Sequence, residues 1–300
     1  MAVNDSAKAW GAFACVAFFW GTTYLAIGVG IKSFPPMLFA SLRHLIAGTL
    51  ILTYFFIRKY PLPPKDQFKH IIIMSLLMLG IGNGLLVWAQ QFVSSGLTAI
   101  ISATFPFAVF FFSWALGQSK PNAKVITGIL LGFVGQLFIF YEKLDLLKSE
   151  DFRWSLLAMF IAIVCWGYGA VYRKTATITL HSLQFSGWQM VTAGLFLLPF
   201  AFFSGEFSKL NVVSSDALWA LAYLIIFGSI VAYGCFMYVL NKLPATTVSM
   251  YSHINTIVAV FLGWYFLNEQ LTFKIAISTV LTLAGVYLVN NGINTTKKPQ

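Results

Sequence analysis

Apolar residues in this chain come in long blocks separated by short polar links. The blocks fall at Trp10–Ile31, Pro36–Ile57, Ile71–Phe92, Leu97–Leu116, Val125–Tyr141, Trp154–Tyr172, Leu183–Phe203, Ala217–Leu240, Ala245–Leu267 and Ile275–Ile293. At a helical rise of about 1.5 Å per residue, most of them reach across a hydrocarbon slab of about 30 Å. The fifth and tenth are shorter and are expected to sit peripherally or to borrow flanking residues. Lipid offers no water to open backbone groups, so a spanning segment must be a helix or part of a closed barrel. Barrel strands would alternate in runs of about ten residues, and these blocks do not. The pattern therefore predicts an all-α integral membrane protein with ten transmembrane helices. The first block is long enough to span and more of the same follows, so it is read as a span and not as a cleavable signal.

The polar links add an orientation. With a cytoplasmic N-terminus, the inner segments hold Lys8, Arg58, Lys59, Lys65, Lys69, Lys120, Lys124, Arg173, Lys174, Lys242, Lys297 and Lys298. The outer links hold only Lys32, Lys143, Lys148, Arg153, Lys209 and Lys274. The positive-inside bias then places both termini in the cytoplasm.

An internal repeat is also legible. One offset aligns Trp20-Gly21 with Trp166-Gly167, Phe39 with Phe185, Arg43 with Gln189 and Ala47-Gly48 with Ala193-Gly194. A slightly longer offset aligns Gly84 with Gly234, Ser102 with Ser252, Trp114 with Trp264 and Gly135 with Gly285. The division is residues 1–147 and 148–300, with five spans in each part. An odd number of spans forces consecutive copies to enter the membrane from opposite sides. Two inverted five-helix repeats suit alternating access around a site near the midplane.

Composition narrows the function classes. The chain is 59% hydrophobic and 9% charged, against about 25% charged in an ordinary globular domain, and cannot build a polar skin. Its net charge of +10 lies in the links, so topology explains it better than nucleic-acid binding does. Cys15, Cys165 and Cys235 all lie inside apolar blocks as packing residues, with no CxxC or Cys/His metal spacing. No Walker loop, HExxH or GxSxG occurs, and neither a metal nor a cofactor is expected. No Asp or Glu falls inside a predicted span, which argues against proton-coupled export of lipophilic cations.

The chain resembles the drug/metabolite transporter superfamily, in its ten-helix EamA-like branch. The residues that carry the likeness are Phe19-Trp20-Gly21, its echo Cys165-Trp166-Gly167, and Ser41-Leu42-Arg43-His44-Leu45-Ile46-Ala47-Gly48 in the second span. Further along come Thr104-Phe105-Pro106, Lys242-Leu243-Pro244-Ala245-Thr246 and Leu267-Asn268-Glu269-Gln270-Leu271. The chain departs from the family at Gly117-Gln118, where a Gly-Glu is usual, and at Thr256, where a proline is usual. The resemblance implies a carrier, often an exporter, of small metabolites such as amino acids, with a cavity between the halves.

Polar groups within spans are expensive and usually face a cavity or a partner helix. Arg43 is the one basic residue deep in a predicted span; it is either an anion contact or a structural clamp. Ser249, Ser252, His253 and Thr256 form a polar stripe at helical spacing, and Asn255 lies off it. Asn83 and Trp88 in the third span join Trp20, Thr23 and Tyr24 of the first, Trp166 of the sixth, and Trp188 and Gln189 of the seventh. Ser102 and Tyr233 complete the expected substrate-binding set. The aromatics suit an apolar or cationic ligand group, or plain interhelical packing. His44, adjacent to Arg43, is expected to point to a different face.

The leading expectation is a secondary transporter of small organic metabolites, amino acids foremost, in a bacterial inner membrane. Its partners would be membrane lipid and the small-molecule substrate; oligomeric state is left open. A carrier for nucleosides, sugars or flavin-like metabolites is the alternative. A membrane-embedded enzyme would need an interfacial acid or metal cluster, and only Glu142, Asp145, Glu150 and Asp151 gather, without a histidine.

Overall fold

The computed structural model describes residues 2–120, 122–142, 146–210 and 212–295. Lys143, Asp145, Lys297 and Lys298 fall outside these residues. All regular elements among the described residues are helical. In chain order they are α1 (Ala2–Gly30), α2 (Pro36–Ile57), α3 (Lys65–Ala89), α4 (Ser95–Ala115), α5 (Ala123–Glu142), α6 (Glu150–Thr175), α7 (Ser182–Phe203), α8 (Ser215–Lys242), α9 (Ala245–Leu267) and α10 (Phe273–Thr295). Among the described residues, eight are long and apolar enough to cross a membrane. The apolar stretches of α5 and α10, Ala123–Gly135 and Phe273–Val289, are shorter. Large side chains such as Ile57, Phe203, Trp219 and Phe273 project outward from the bundle, as lipid contact requires and water would penalise.

Local sequence sets the helix ends. Ser94, Ser149 and Ser214 cap α4, α6 and α8 by accepting from the backbone N–H three residues on. Pro36 opens α2, where a missing N–H costs nothing. Gly117 after α4 and Asn268 after α9 both adopt the left-handed conformation that stops a helix.

Two carboxylates do more than cap their own helices. Glu206, just past α7 and buried, accepts from Met37 N at 3.3 Å and Leu38 N at 2.8 Å at the start of α2. Glu269, just past α9, accepts from Ser95 N at 2.7 Å, Ser95 Oγ at 2.6 Å and Gly96 N at 2.8 Å at the start of α4. Both contacts lie at the end of the bundle far from the start of α1, where Ser33 and Ser214 also meet, Oγ to Oγ, at 3.1 Å. At the near end the residue after the left-handed Gly117 is Gln118, so the comparable position there is neutral.

The packing has an internal regularity. Extensive contacts join α2 with α7, α4 with α9 and α5 with α10. Contact of α1 with α8 is matched by α6 with α3, and α1 with α9 by α6 with α4. Exchanging each helix for the one five places away leaves this pattern unchanged. The α5–α10 seam is a backbone approach: a Cβ on Gly285 would lie 2.5 Å from Gly128 O and from Gly132 N.

The helices that meet at the centre are irregular. Residues Ser75–Asn83 of α3 and Leu224–Val231 of α8 are wound as π-helix. α4 is interrupted at Ala103–Thr104, ahead of Pro106, and α9 at Ser249–Met250. Proline removes a backbone donor and breaks the ladder in α4. In α9, the Thr256 hydroxyl donates to Ser252 O at 2.7 Å and reaches Ala99 O of α4 at 3.2 Å.

Candidate functional site

The irregular stretches surround a cavity whose water-accessible volume is about 90 Å3. Its walls come from α1, α2, α3, α4, α6, α7, α8 and α9, that is, from both halves of the chain. A π turn widens a helix and turns backbone and small residues outward, a habit of functional sites. Here the π segments bring Gly82 and Asn83 to one wall and Gly228 and Ser229 to another.

Arg43 enters from α2 and is 5% exposed. Its Nε donates to Ser229 Oγ at 2.8 Å, and the guanidinium lies against Gly228, where an added Cβ would sit 3.0 Å from Nη2. Trp20 Nε1 donates to Gly228 O at 3.1 Å and locks the same turn of α8. No Asp or Glu is among the lining residues. His44 also reaches the cavity, with Nε2 3.0 Å from Asn83 Oδ1. The expectation that His44 would face elsewhere fails because the cavity wraps round more than one face of α2.

An aromatic wall stands opposite. Trp20 packs edge-on to Trp166 at 5.6 Å between centroids and to Tyr251 at 4.9 Å, and lies 4.8 Å from Phe236. Two polar atoms of the lining, Ser252 Oγ and His44 Nδ1, are buried without a protein partner. Buried polar groups are ordinarily paired, so these atoms mark a place where a ligand or waters complete the bonding.

Trp20, Thr23, Tyr24, Arg43, Asn83, Ser102, Trp166, Tyr233 and Ser252 all line this one cavity. Trp88, Trp188, Gln189 and His253 do not. On α3 the lining stripe is Leu79, Gly82, Asn83 and Leu86; Trp88 lies off it and packs on Phe92 at 5.5 Å. On α7 it is Met190 that faces inward, so Trp188, two residues away, points out and meets Phe56 and Phe68. Gln189 sits behind the wall, where its Oε1 accepts from Tyr233 OH at 3.2 Å. His253 bonds its own turn through Nδ1 to Met250 O at 2.9 Å.

The sequence missed Ser229, Tyr251 and Phe105, and gave Asn255 little weight. Ser229 had a signal: with Gly228 it is the only interruption in the apolar run Leu224–Val231. Tyr251 had none beyond composition, and Phe105 was read only as part of Thr104-Phe105-Pro106.

The chain matches the EamA-like transporter family over residues 8–141 and again over 153–291. It is similar to the uncharacterized inner membrane transporter YedA of Escherichia coli, at 30% identity over 93% of this chain and 91% of that one. The uncharacterized transporter YoaV of Bacillus subtilis is 31% identical, over 91% of this chain and 93% of that one. One solved crystal structure superposes with a TM-score of 0.67 over 97% of this chain and 99% of that chain. At 16% identity that likeness is one of fold alone.

Proposed function

The chain belongs to the EamA-like transporter family, a multi-pass protein of the inner membrane, and from that premise we propose what it carries and how. It moves small organic metabolites that bear a carboxylate, amino acids foremost, in the exporting direction and without enzymatic conversion. The observation that carries this reading is the buried Arg43 guanidinium, presented to a cavity whose walls hold no acid. Arginine matches a carboxylate with two parallel donors, a stronger and more directional contact than a neutral hydrogen bond. The unpaired Ser252 Oγ offers a secondary contact, and the aromatic wall takes an apolar side group.

Transport follows from the two halves rocking about this site. Ten spans in two inverted repeats, residues 1–147 and 148–300, would give two related conformations, one open to each side. The exchange-symmetric packing of the helices and the paired family match support that arrangement. With the near end bearing Arg58, Lys59, Lys120, Arg173 and Lys242, the positive-inside bias makes that end cytoplasmic.

The test is flux of labelled amino acids into proteoliposomes holding the purified protein. Saturable uptake, competed by other carboxylates and not by nucleosides, is the expected result. Uptake competed by nucleosides and indifferent to carboxylates would assign the aromatic wall to base stacking instead.

A further inference from the structure

Arg43 is the only lysine or arginine among the residues that line the cavity, and no lining residue is acidic. In the conformation described, little of the guanidinium meets solvent: Arg43 is 5% exposed, and Trp20, Tyr24, Tyr251 and Ser252, which flank the same space, are each 8% exposed or less. The geometry fixes the charge there. Ser229 Oγ holds Nε, and the Gly228 turn, pinned by Trp20 Nε1, leaves no room for the head to withdraw into α8.

An enclosed charge in a low-dielectric slab is unfavourable unless an opposite charge accompanies it. The open volume admits a few waters, which hydrate the guanidinium and do not neutralise it. In a state open to either side, bulk water and counterions serve Arg43. In the closed state between them, only the cargo can. A bound carboxylate cancels the charge through bidentate hydrogen bonds, so closing over cargo and closing over water differ by an uncompensated ion.

We infer that this carrier closes over a carboxylate far more readily than over an empty cavity, and so works as an exchanger in which one carboxylate must return for another to leave. This deepens the transport reading above and rests on it. For an amino acid, the carboxylate takes Arg43 and the ammonium group is received by the aromatic faces and neutral oxygens of the lining.

The experiment uses the full chain in proteoliposomes with two labelled probes, L-phenylalanine and 3-phenylpropionate. Uptake is measured into vesicles preloaded with the same unlabelled compound and into vesicles holding buffer. Preloading should raise the initial rate at least about tenfold, equivalent to about 1.4 kcal/mol of preference for the loaded closure. Both probes should show the effect. Arg43→Gln, the residue its repeat counterpart Gln189 already is, should lower carboxylate uptake in both kinds of vesicle and bring the ratio of the two rates towards one. Arg43→Lys keeps the charge and should keep the preference at weaker affinity.

Equal rates into loaded and empty vesicles for the native chain would overturn exchange while leaving transport intact. A full preloading effect in a folded Arg43→Gln variant would overturn the role given to this charge. If neither probe moves in either kind of vesicle, the carboxylate-carrier reading falls, and the inference with it.

Discussion

Gly228 shows how finely the cavity wall is set at the level of single atoms. A methyl group there would come within 2.9 Å of Thr23 Cγ2 and 3.0 Å of Arg43 Nη2, so Gly228→Ala must displace the guanidinium or the turn that carries it. The expected outcome is a several-fold rise in KM for carboxylate cargo, as shifted charge-assisted bonds each forfeit about 1 kcal/mol or more. Gly11→Ala, whose methyl meets nothing within 4 Å, is the control and should leave flux unchanged. Trp20→Phe removes the donor to Gly228 O and should cost about 1 kcal/mol of stability, read by thermal denaturation in detergent, together with some loss of flux. The residues most legible in the sequence were those whose chemistry is conspicuous in lipid, such as Arg43, Asn83 and the repeated Trp20 and Trp166. Trp188 and Gln189 were conspicuous too, yet they are turned away, because helical phase on α7 is set by Met190 and the neighbours it packs among. Composition identifies an expensive residue without saying which side of its helix is empty.

Between helices, the carboxylates past α7 and α9 hold more than their own termini. Glu269 serves three donors at the start of α4, and Glu269→Gln keeps the shape while removing the charge and turning one acceptor into a donor facing N–H groups. A loss of about 1–3 kcal/mol follows from weakening charge-assisted bonds at a helix N-terminus, and lowered thermal stability would register it. The carboxylates themselves stood in plain view in the sequence, but their partners lie far along the chain and no local pattern reveals them. Helix existence was legible because spans must be long and apolar. The π segments and the breaks in α4 and α9 were not, apart from Pro106, since a run such as Leu224–Val231 reads as ordinary helix until its neighbours fix the winding. The short α5 and α10 were expected to sit peripherally or to borrow flanking residues; their apolar stretches are indeed shorter, and a glycine seam joins the two helices.

At the scale of the whole molecule, the far end is drawn together by Glu206, Glu269 and the Ser33–Ser214 contact, each linking a residue of the first half to one of the second. If the halves part at this end during transport, a covalent tie should arrest it. The double variant Ser33→Cys and Ser214→Cys, oxidised to a disulfide, should stop flux, and a reductant should restore it. Unimpaired flux in the oxidised, cross-linked protein would mean that this end stays shut throughout the cycle. The native thiols Cys15, Cys165 and Cys235 lie within α1, α6 and α8, away from this tie. The family was legible in the sequence motifs, while the contacts between helices far apart in the chain depended on side-chain shapes that no offset encodes. The π segments of α3 and α8 have a last consequence. A widened turn carries one surplus residue, and handing it along to the next turn swivels the intervening stretch by about 100° while every donor finds a new acceptor in the same strand of chain. Two such stretches, one on each side of the cargo space, give the bundle a supply of slack that can be relocated without unwinding, so the walls around Asn83 and Ser229 can be re-aimed while the ends of their helices stay anchored.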